Sequence, residues 1–485
     1  MRLLYLPLYT NKNLNGDSSY NVASKFIASA VERGWFVHWV LPQVGGGSRF
    51  HYEGSRAAIE NHPQVLVHRV PSIEDQYMQT GVVPADVLFR LFSQHQGRYH
   101  IDAVLTEKPA SAAYVRKLLQ HPFTRPAKGK NRWLGKTPAL PMFVRDPFTK
   151  SQELHIISDV EEVEQSVGYL TSYSIFMCQT DFDMASKVAK RYLNYGQVKK
   201  MQARSVVLPP GTATAELLPV REAAVKRDRF TVLIAERLKN GALMDSLDAV
   251  DYMFKRGYQM DVVISSQSEL NRKTLMNYPT VFEHAELHPA NPRDQYLPLA
   301  AACHATITMP STHSYPQGLM ERLYLGLVAV LPDYPWVHTL LPDYPFVVKR
   351  NVKSMVAMLK WIEENYEEAK QKVAWVPGYI EEHYDAQLLA EKTMRHIEET
   401  TALVRASSAP SSGFLELIDQ FDFDEADEET LFEYMKAHST TGLSFNNEGK
   451  TAAFGSYKSQ LFQAMRHRGW EDTCEGPFVT MRRKS

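Results

Sequence analysis

The chain has 485 residues, enough for two or three domains at roughly 100–200 residues each. Its 44% apolar and 22% charged residues suit a globular protein that buries a core without staples, and a formal net charge of -1 selects no partner. Three widely spaced cysteines, Cys178, Cys303 and Cys474, argue against a disulfide framework or structural zinc and predict a reducing, cytoplasmic setting. The apolar run in MRLLYLPLYTNKN is too short for a signal peptide, and no run of about 18 apolar residues predicts a membrane span.

Arg2 to Leu8 reads as a buried strand, followed by the polar loop TNKNLNGDSSYN. The amphipathic stretch Val22 to Arg33, stopped by Gly34, leads to a second strand from Trp35 to Leu41. Strand, helix and strand in that order make the βαβ unit of a parallel sheet, with a right-handed crossover. Further strands are expected at 65–70, 103–105, 142–144, 175–178 and 206–208, with helices at 111–119 and 183–193 among the connections. Residues 1–210 therefore form a doubly wound α/β domain.

The pattern then restarts. Strands at 230–234, 260–264, 305–309 and 328–331 alternate with helices at 242–255, 294–302 and 319–327, giving a second doubly wound domain over residues 211–375. A helical segment fills 376–406, SSAPSSG at 407–413 is a linker, and 414–485 form a small C-terminal α+β module. That module has nine acids and no Lys or Arg between Phe414 and Glu433, then eight Lys or Arg against four acids from Tyr434 onward. Helices at 429–437 and 457–468, a turn at 473–477 and a basic strand at 478–483 resemble a winged helix, with Arg466 and Arg468 placed to meet phosphates or base edges; a plain interaction domain fits as well.

Two tandem Rossmann-like domains place their strand carboxyl ends across one cleft, where ligands bind in open α/β sheets. Three segments of the second domain suit a nucleoside diphosphate. In AERLKNG (235–241), directly after a strand, Arg237 and Lys239 can neutralise a pyrophosphate. In PSTHSYPQGLMER (310–322), a loop with Ser311 feeds a helix starting near Gly318, whose free N–H groups favour an anion, and Glu321 in its first turn can accept from ribose hydroxyls. HPANPRDQY (288–296) leads into a helix and can edge the base. Surface ion pairing for Arg237, a dipole-favoured helix charge for Glu321 and loop packing for His313 are the plainer alternatives.

This second domain resembles the donor domain of family-4 GT-B glycosyltransferases, which carry G-R-L…K-G after a strand and later P-S-x-x-E-G-F-G-x-x-x-x-E-A. The resemblance implies that Arg237 and Lys239 bind the diphosphate and Glu321 the donor ribose. Counted back eight positions from Glu321, the family's first glutamate, a sugar contact, falls on His313. In diluted form the likeness extends over residues 1–400, with NGDSSYNVASKFIASAVERGWFVHWVLP resembling the acceptor loop and helix. It implies a UDP-sugar donor, a hexosyl transfer with retention of anomeric configuration, and no other cofactor.

The charge map bears on the acceptor. Nine Lys or Arg and no acid lie between Lys108 and Arg145, with Arg125, Lys128, Lys130, Arg132 and Lys136 interleaved with Phe123 and Trp133. Six more, again with no acid, lie between Met184 and Ala215. Such stretches suit a nucleic-acid backbone; acidic lipid or a merely solvated surface are the alternatives. Together with the C-terminal module they resemble the phage DNA glycosyltransferases, which glycosylate hydroxymethylated pyrimidines. That resemblance implies double-stranded DNA as partner, a flipped base as acceptor and a host cytoplasm as setting. A glycan or lipid acceptor, or a non-catalytic nucleic-acid-binding protein, are the competing readings.

Sugar transfer requires charge to be stabilised on the leaving diphosphate, for which Arg237 and Lys239 are the candidates. A hydroxyl acceptor calls for a base or an orienting carboxylate: Asp146, after a first-domain strand, with Asp17 and Glu107 as alternatives. No metal-ligand cluster is apparent, so no metal is expected. The oligomeric state is open.

Overall fold

A computed structural model of the chain describes residues 1–7, 9, 13–14, 17–45, 50, 58–70, 73–74, 81–82, 101–107, 141–146, 159–235, 241–266, 276–289, 293–310, 315–406, 444–446, 470–475 and 478–483. Strands β1 (Arg2–Leu6), β2 (Phe36–Pro42) and β3 (Val65–Val70) come first, and β4 (Ile73–Glu74) and β5 (Gly81–Val82) form a separate antiparallel pair. β6 (Ala103–Thr106), β7 (Met142–Asp146), β8 (Tyr173–Phe176) and β9 (Ser205–Val207) complete a seven-stranded sheet of order β3-β2-β1-β6-β7-β8-β9. Every pairing in it is parallel.

The strands are near-continuous apolar runs because both faces are covered, as in parallel sheets generally. Alternate residues serve opposite faces. Leu3, Tyr5, Val37 and Trp39 pack with Phe26 and Ile27 of the Ser18–Glu32 helix, while Leu4, Leu6 and Val40 pack with Tyr169, Ala185 and Val188.

The second sheet is built the same way. β10 (Thr231–Ile234), β11 (Asp261–Ser266), β12 (Glu286–Pro289), β13 (Ala305–Ile307), β14 (Val328–Pro332) and β15 (Val347–Val348) are parallel in the order β12-β11-β10-β13-β14-β15. In each sheet the chain builds outward on one side of its first strand and then returns to the other side. The switch points therefore lie between β1 and β6 and between β10 and β13, which is where such sheets open a crevice at their carboxyl ends.

Two chain crossings join the units side by side. The Thr212 N–H donates to the Tyr384 carbonyl at 2.7 Å, and the Ala386 N–H donates to the Thr212 carbonyl at 2.8 Å. Gly211 makes this close approach possible: its φ is +80°, and a Cβ there would stand 2.6 Å from the Ala386 Cα. After the crossing, the Ala386–Ala406 helix packs back on the first sheet through Ala390, Met394 and Ile397. Its Glu398 takes the Arg33 guanidinium at 3.0 and 2.7 Å and the Trp35 Nε1–H at 2.9 Å, and the Arg33 bond holds that carboxyl below its usual range.

Several sequence expectations are corrected here. The helical segment at 376–406 is two helices, Val376–Tyr384 and Ala386–Ala406, broken at Asp385, whose backbone is extended and whose Oδ1 caps the second helix through the Leu388 N–H. The expected turn from Thr473 is instead strand: β17 (Trp470–Glu475) pairs antiparallel with β18 (Phe478–Arg483), and β16 (Ser444–Asn446) flanks β18. β12 and β15 were not expected: β12 reads ELHP, with polar residues at 286 and 288 instead of an apolar run, and β15 is only two residues long. The helices expected at 111–119, 429–437 and 457–468 lie outside the described residues.

Candidate active site at the two switch points

The three segments singled out for the diphosphate all leave the same edge of the second sheet. β10 runs into residues 236–240 and the Gly241–Lys255 helix, β13 into residues 311–314 and the Gln317–Tyr324 helix, and β12 into residues 290–292 and the Arg293–Ala302 helix. The first two strands are adjacent at the switch point.

Glu321 lies in the Gln317–Tyr324 helix with its side chain 4% exposed, and Arg293 grips it from the start of its own helix. Arg293 Nη1 donates to Oε2 at 3.0 Å, Nη2 lies 2.9 Å from Oε1, and Gln317 Nε2 reaches Oε1 at 3.4 Å. Burial pulls the Arg293 pKa down, but Glu321 and Glu216 more than offset it and hold the guanidinium charged. Arg293 Nη2 is also 3.7 Å from Glu216 Oε2, which Lys25 approaches to 3.1 Å from the first-domain helix. The chain of charges Lys25–Glu216–Arg293–Glu321 thus crosses between the units. It borders a cleft of about 280 Å³ lined by Asn21, Ser24, Lys25, Ile59, Glu216 and Arg293 among others.

Beside Glu321, Arg322 points into the sheet and is 3% exposed. Its Nη1 donates to the Ala235 carbonyl, just past β10, at 2.8 Å, and its Nη2 to Thr308 Oγ1, just past β13, at 2.9 Å. Trp336 Nε1 donates to the Pro310 carbonyl at 3.1 Å. Tyr315 is buried and meets Thr212 Oγ1 at 2.8 Å, joining the chain crossing to this edge. Gly318, in the first turn of the Gln317–Tyr324 helix, is exposed with open space where a Cβ would be.

At the first sheet's switch point stands a buried cluster. Tyr5 Oη donates to Glu107 Oε1 at 2.8 Å, and Arg145 Nη2 donates to the same oxygen at 2.9 Å and also contacts Tyr5 Oη. Burial raises the Tyr5 hydroxyl's pKa far above its ordinary value. Glu107 is thereby tied to a cation rather than standing open in the cleft. Asp17, fully buried, caps the Ser18–Glu32 helix: its Oδ1 accepts from the Tyr20 N–H at 3.0 Å. Asp146 is the last residue of β7, in register with Phe176 of β8; its side chain is not among those described.

Arg237, Lys239, Ser311 and His313 lie outside the described residues, as do Arg125, Lys128, Lys130, Arg132, Trp133, Lys136, Arg466 and Arg468. The second basic stretch is described. It forms the Gln179–Tyr192 and Tyr195–Ala203 helices, which expose Lys187, Lys190, Arg191 and Lys199. Lys199 Nζ lies 4.7 Å from the ring centroid of Tyr195, which is 75% exposed. Arg191 pairs with Glu162 at 3.1 Å, and burial together with the nearby Arg204 lowers the Lys200 pKa.

Sequence reasoning missed Arg293, Arg322 and Glu216. The loop before residue 293 was marked as leading into a helix, but the pairing of Arg293 with a residue 28 positions later has no sequence signal. Among the described residues, no three His, Cys, Asp or Glu side chains are placed to hold a metal ion, and no helix is long and apolar enough to cross a membrane.

No protein-family model matches the sequence, and no curated protein sequence matches it significantly. Solved structures do match by shape. A sucrose-phosphate synthase from Thermosynechococcus elongatus superposes with a TM-score of 0.61 at 9% identity, covering 83% of this chain and 100% of that one. A glycosyltransferase from Rickettsia africae gives 0.58 at 10% identity over 82% and 98% of the two chains. HepE of Anabaena, solved in complex with UDP and glucose, gives 0.56 at 9% identity over 82% and 99%. Two doubly wound parallel sheets, with the Ala386–Ala406 helix returning to pack on the first, give this chain the GT-B fold of those glycosyltransferases.

Proposed function

We propose that the protein transfers a sugar from a nucleotide-sugar donor, a UDP-hexose, to a hydroxyl acceptor. The observation that carries this is local. The segments holding Arg237 and Lys239, and Ser311, Gly318 and Glu321, depart from adjacent strands at the second sheet's switch point, and Arg293, which holds Glu321, lines a cleft that the first unit also lines. In this reading Arg237 and Lys239 stabilise the leaving diphosphate, the helix start near Gly318 adds N–H donors, and His313 meets the sugar. Glu321 meets the ribose. Arg293 and Gln317 hold its oxygens, yet each carboxylate oxygen has two acceptor sites, so hydroxyl groups share it with the guanidinium. Asp146, at the end of β7, orients the acceptor hydroxyl, and retention lets the leaving phosphate take its proton. Asp17, as a helix cap, shapes the acceptor loop rather than moving a proton.

For the acceptor, the reading is a hydroxymethylated pyrimidine in DNA. Its support is the basic first unit: the cations of the two described helices carry a stretch without acids from Met184 to Ala215, and phosphates are the complementary charge. The test is to incubate the protein with radiolabelled UDP-glucose and, separately, plain DNA, hydroxymethylcytosine DNA and oligosaccharide. Label in hydroxymethylated DNA alone supports the reading. Label in oligosaccharide alone overturns the acceptor and keeps the donor chemistry. No transfer and no donor hydrolysis point to a non-catalytic binding protein.

A further inference from the structure

Arg322 is a buried cation where packing alone asks for none. A guanidinium at 3% exposure costs several kcal/mol in lost hydration unless it is well bonded, and an apolar side chain of similar volume usually fills such a site as well or better. Two of its bonds bear directly on the switch point. They run to atoms just past two different strands, the Ala235 carbonyl after β10 and Thr308 Oγ1 after β13, and these strands flank the switch point. Ala235 immediately precedes the residues that include Arg237, and Thr308 stands three residues before Ser311. The planar fork of Arg spans two acceptors at once, whereas the ammonium of Lys is a single point charge.

We propose that Arg322 is a positioning residue for the donor: its guanidinium clamps the carboxyl ends of β10 and β13 together, fixing the points from which the two diphosphate-binding segments depart. The inference rests on the nucleotide-sugar reading above. Arg322 touches neither donor nor acceptor; it acts through Ala235 and Thr308, where the two strands end.

The test compares wild type with Arg322→Lys, Arg322→Met and Thr308→Val by calorimetric titration with UDP, melting temperature, and kcat and KM for UDP-glucose. Freeing the two strand ends to shift predicts a loss of about tenfold or more in UDP affinity for Arg322→Met, the scale of losing a group that orients a binding residue. Arg322→Lys falls between it and wild type, and Thr308→Val loses less, in the same direction. KM for the donor rises more than kcat falls, while the melting temperature of Arg322→Met stays near wild type or above it. A folded Arg322→Met that binds UDP within twofold of wild type overturns the proposal; if that variant does not fold, Arg322→Lys and Thr308→Val decide on the same criterion. Wild type that binds no nucleoside diphosphate overturns the functional reading and this inference with it, before any variant is compared.

Discussion

Replacing Arg293 with Met removes the group that holds Glu321. The carboxylate is 4% exposed and takes both guanidinium nitrogens, at 3.0 and 2.9 Å. Met retains most of the aliphatic volume, so the loss is electrostatic. Stripping one partner from a fully buried pair costs about 3–5 kcal/mol. Arg293 is 31% exposed, so water replaces part of what is lost, and about 2–3 kcal/mol is expected. For a unit of this size each kcal/mol moves the melting temperature by about 2–4 °C, which predicts a fall of roughly 4–12 °C in scanning calorimetry. Arg293→Met combined with Glu321→Leu leaves no unpaired charge at that pair and recovers much of that fall. A shift below about 1 °C in the single variant, or no recovery in the double one, would refute the view that Glu321 depends on Arg293 for its place.

Three further outcomes follow from the geometry. Gly211→Ala forces a side chain into a left-handed backbone 2.6 Å from Ala386 Cα; about 1–2 kcal/mol for the conformation plus about 1–3 for the overlap predicts clear thermal destabilisation, and an unchanged melting curve would contradict the crossing described. Glu286 has its pKa lowered to about 2 by Arg227 first and then His288, so its folded value lies below its unfolded one. Its contribution is present above about pH 4.5 and is lost as pH falls towards 2. Glu286→Gln should therefore cost at most about 1 kcal/mol at pH 7 and nothing measurable near pH 2, as read by urea titration at each pH. Burial raises the Cys303 thiol to about 11 and lifts Cys178 still higher, so neither should react with iodoacetamide in the native protein at pH 8; rapid labelling of either, seen by mass spectrometry, would contradict their buried places.

Much of the architecture was legible because parallel strands buried on both faces leave apolar runs, and the restart of the pattern at Phe230 marks a second sheet. The segments leaving β10 and β13 were legible too, since a strand followed by AERLKNG and another followed by PSTHSYPQG carry turn and anion-binding residue types at strand ends, but that the two strands are neighbours at the switch point was not. What stayed hidden depends on distance in sequence. Arg293 meets Glu321, Arg322 bonds Ala235, and Lys25 reaches Glu216 only once both sheets are assembled. The break at Asp385 was hidden for the same reason: no Gly or Pro between Tyr379 and Ala406 marks a stop, and it is the bonds to Thr212 on the other crossing that interrupt the helix. Asp17 was read as a possible base because it follows NG in a polar loop, whereas its carboxylate satisfies a helix N-terminus. The C-terminal hairpin of β17 and β18 escaped because Trp470–Glu475 carries three acids among its six residues, an unusual composition for a strand.

The most direct test of the account is a calorimetric titration of UDP into wild type and Arg237→Ala. The account predicts saturable one-to-one binding to wild type, and binding weaker by about tenfold or more in the variant, the effect of losing a charge-assisted bond to the diphosphate. No binding of UDP, ADP or GDP to the folded wild-type protein would contradict a nucleotide-sugar site at this switch point.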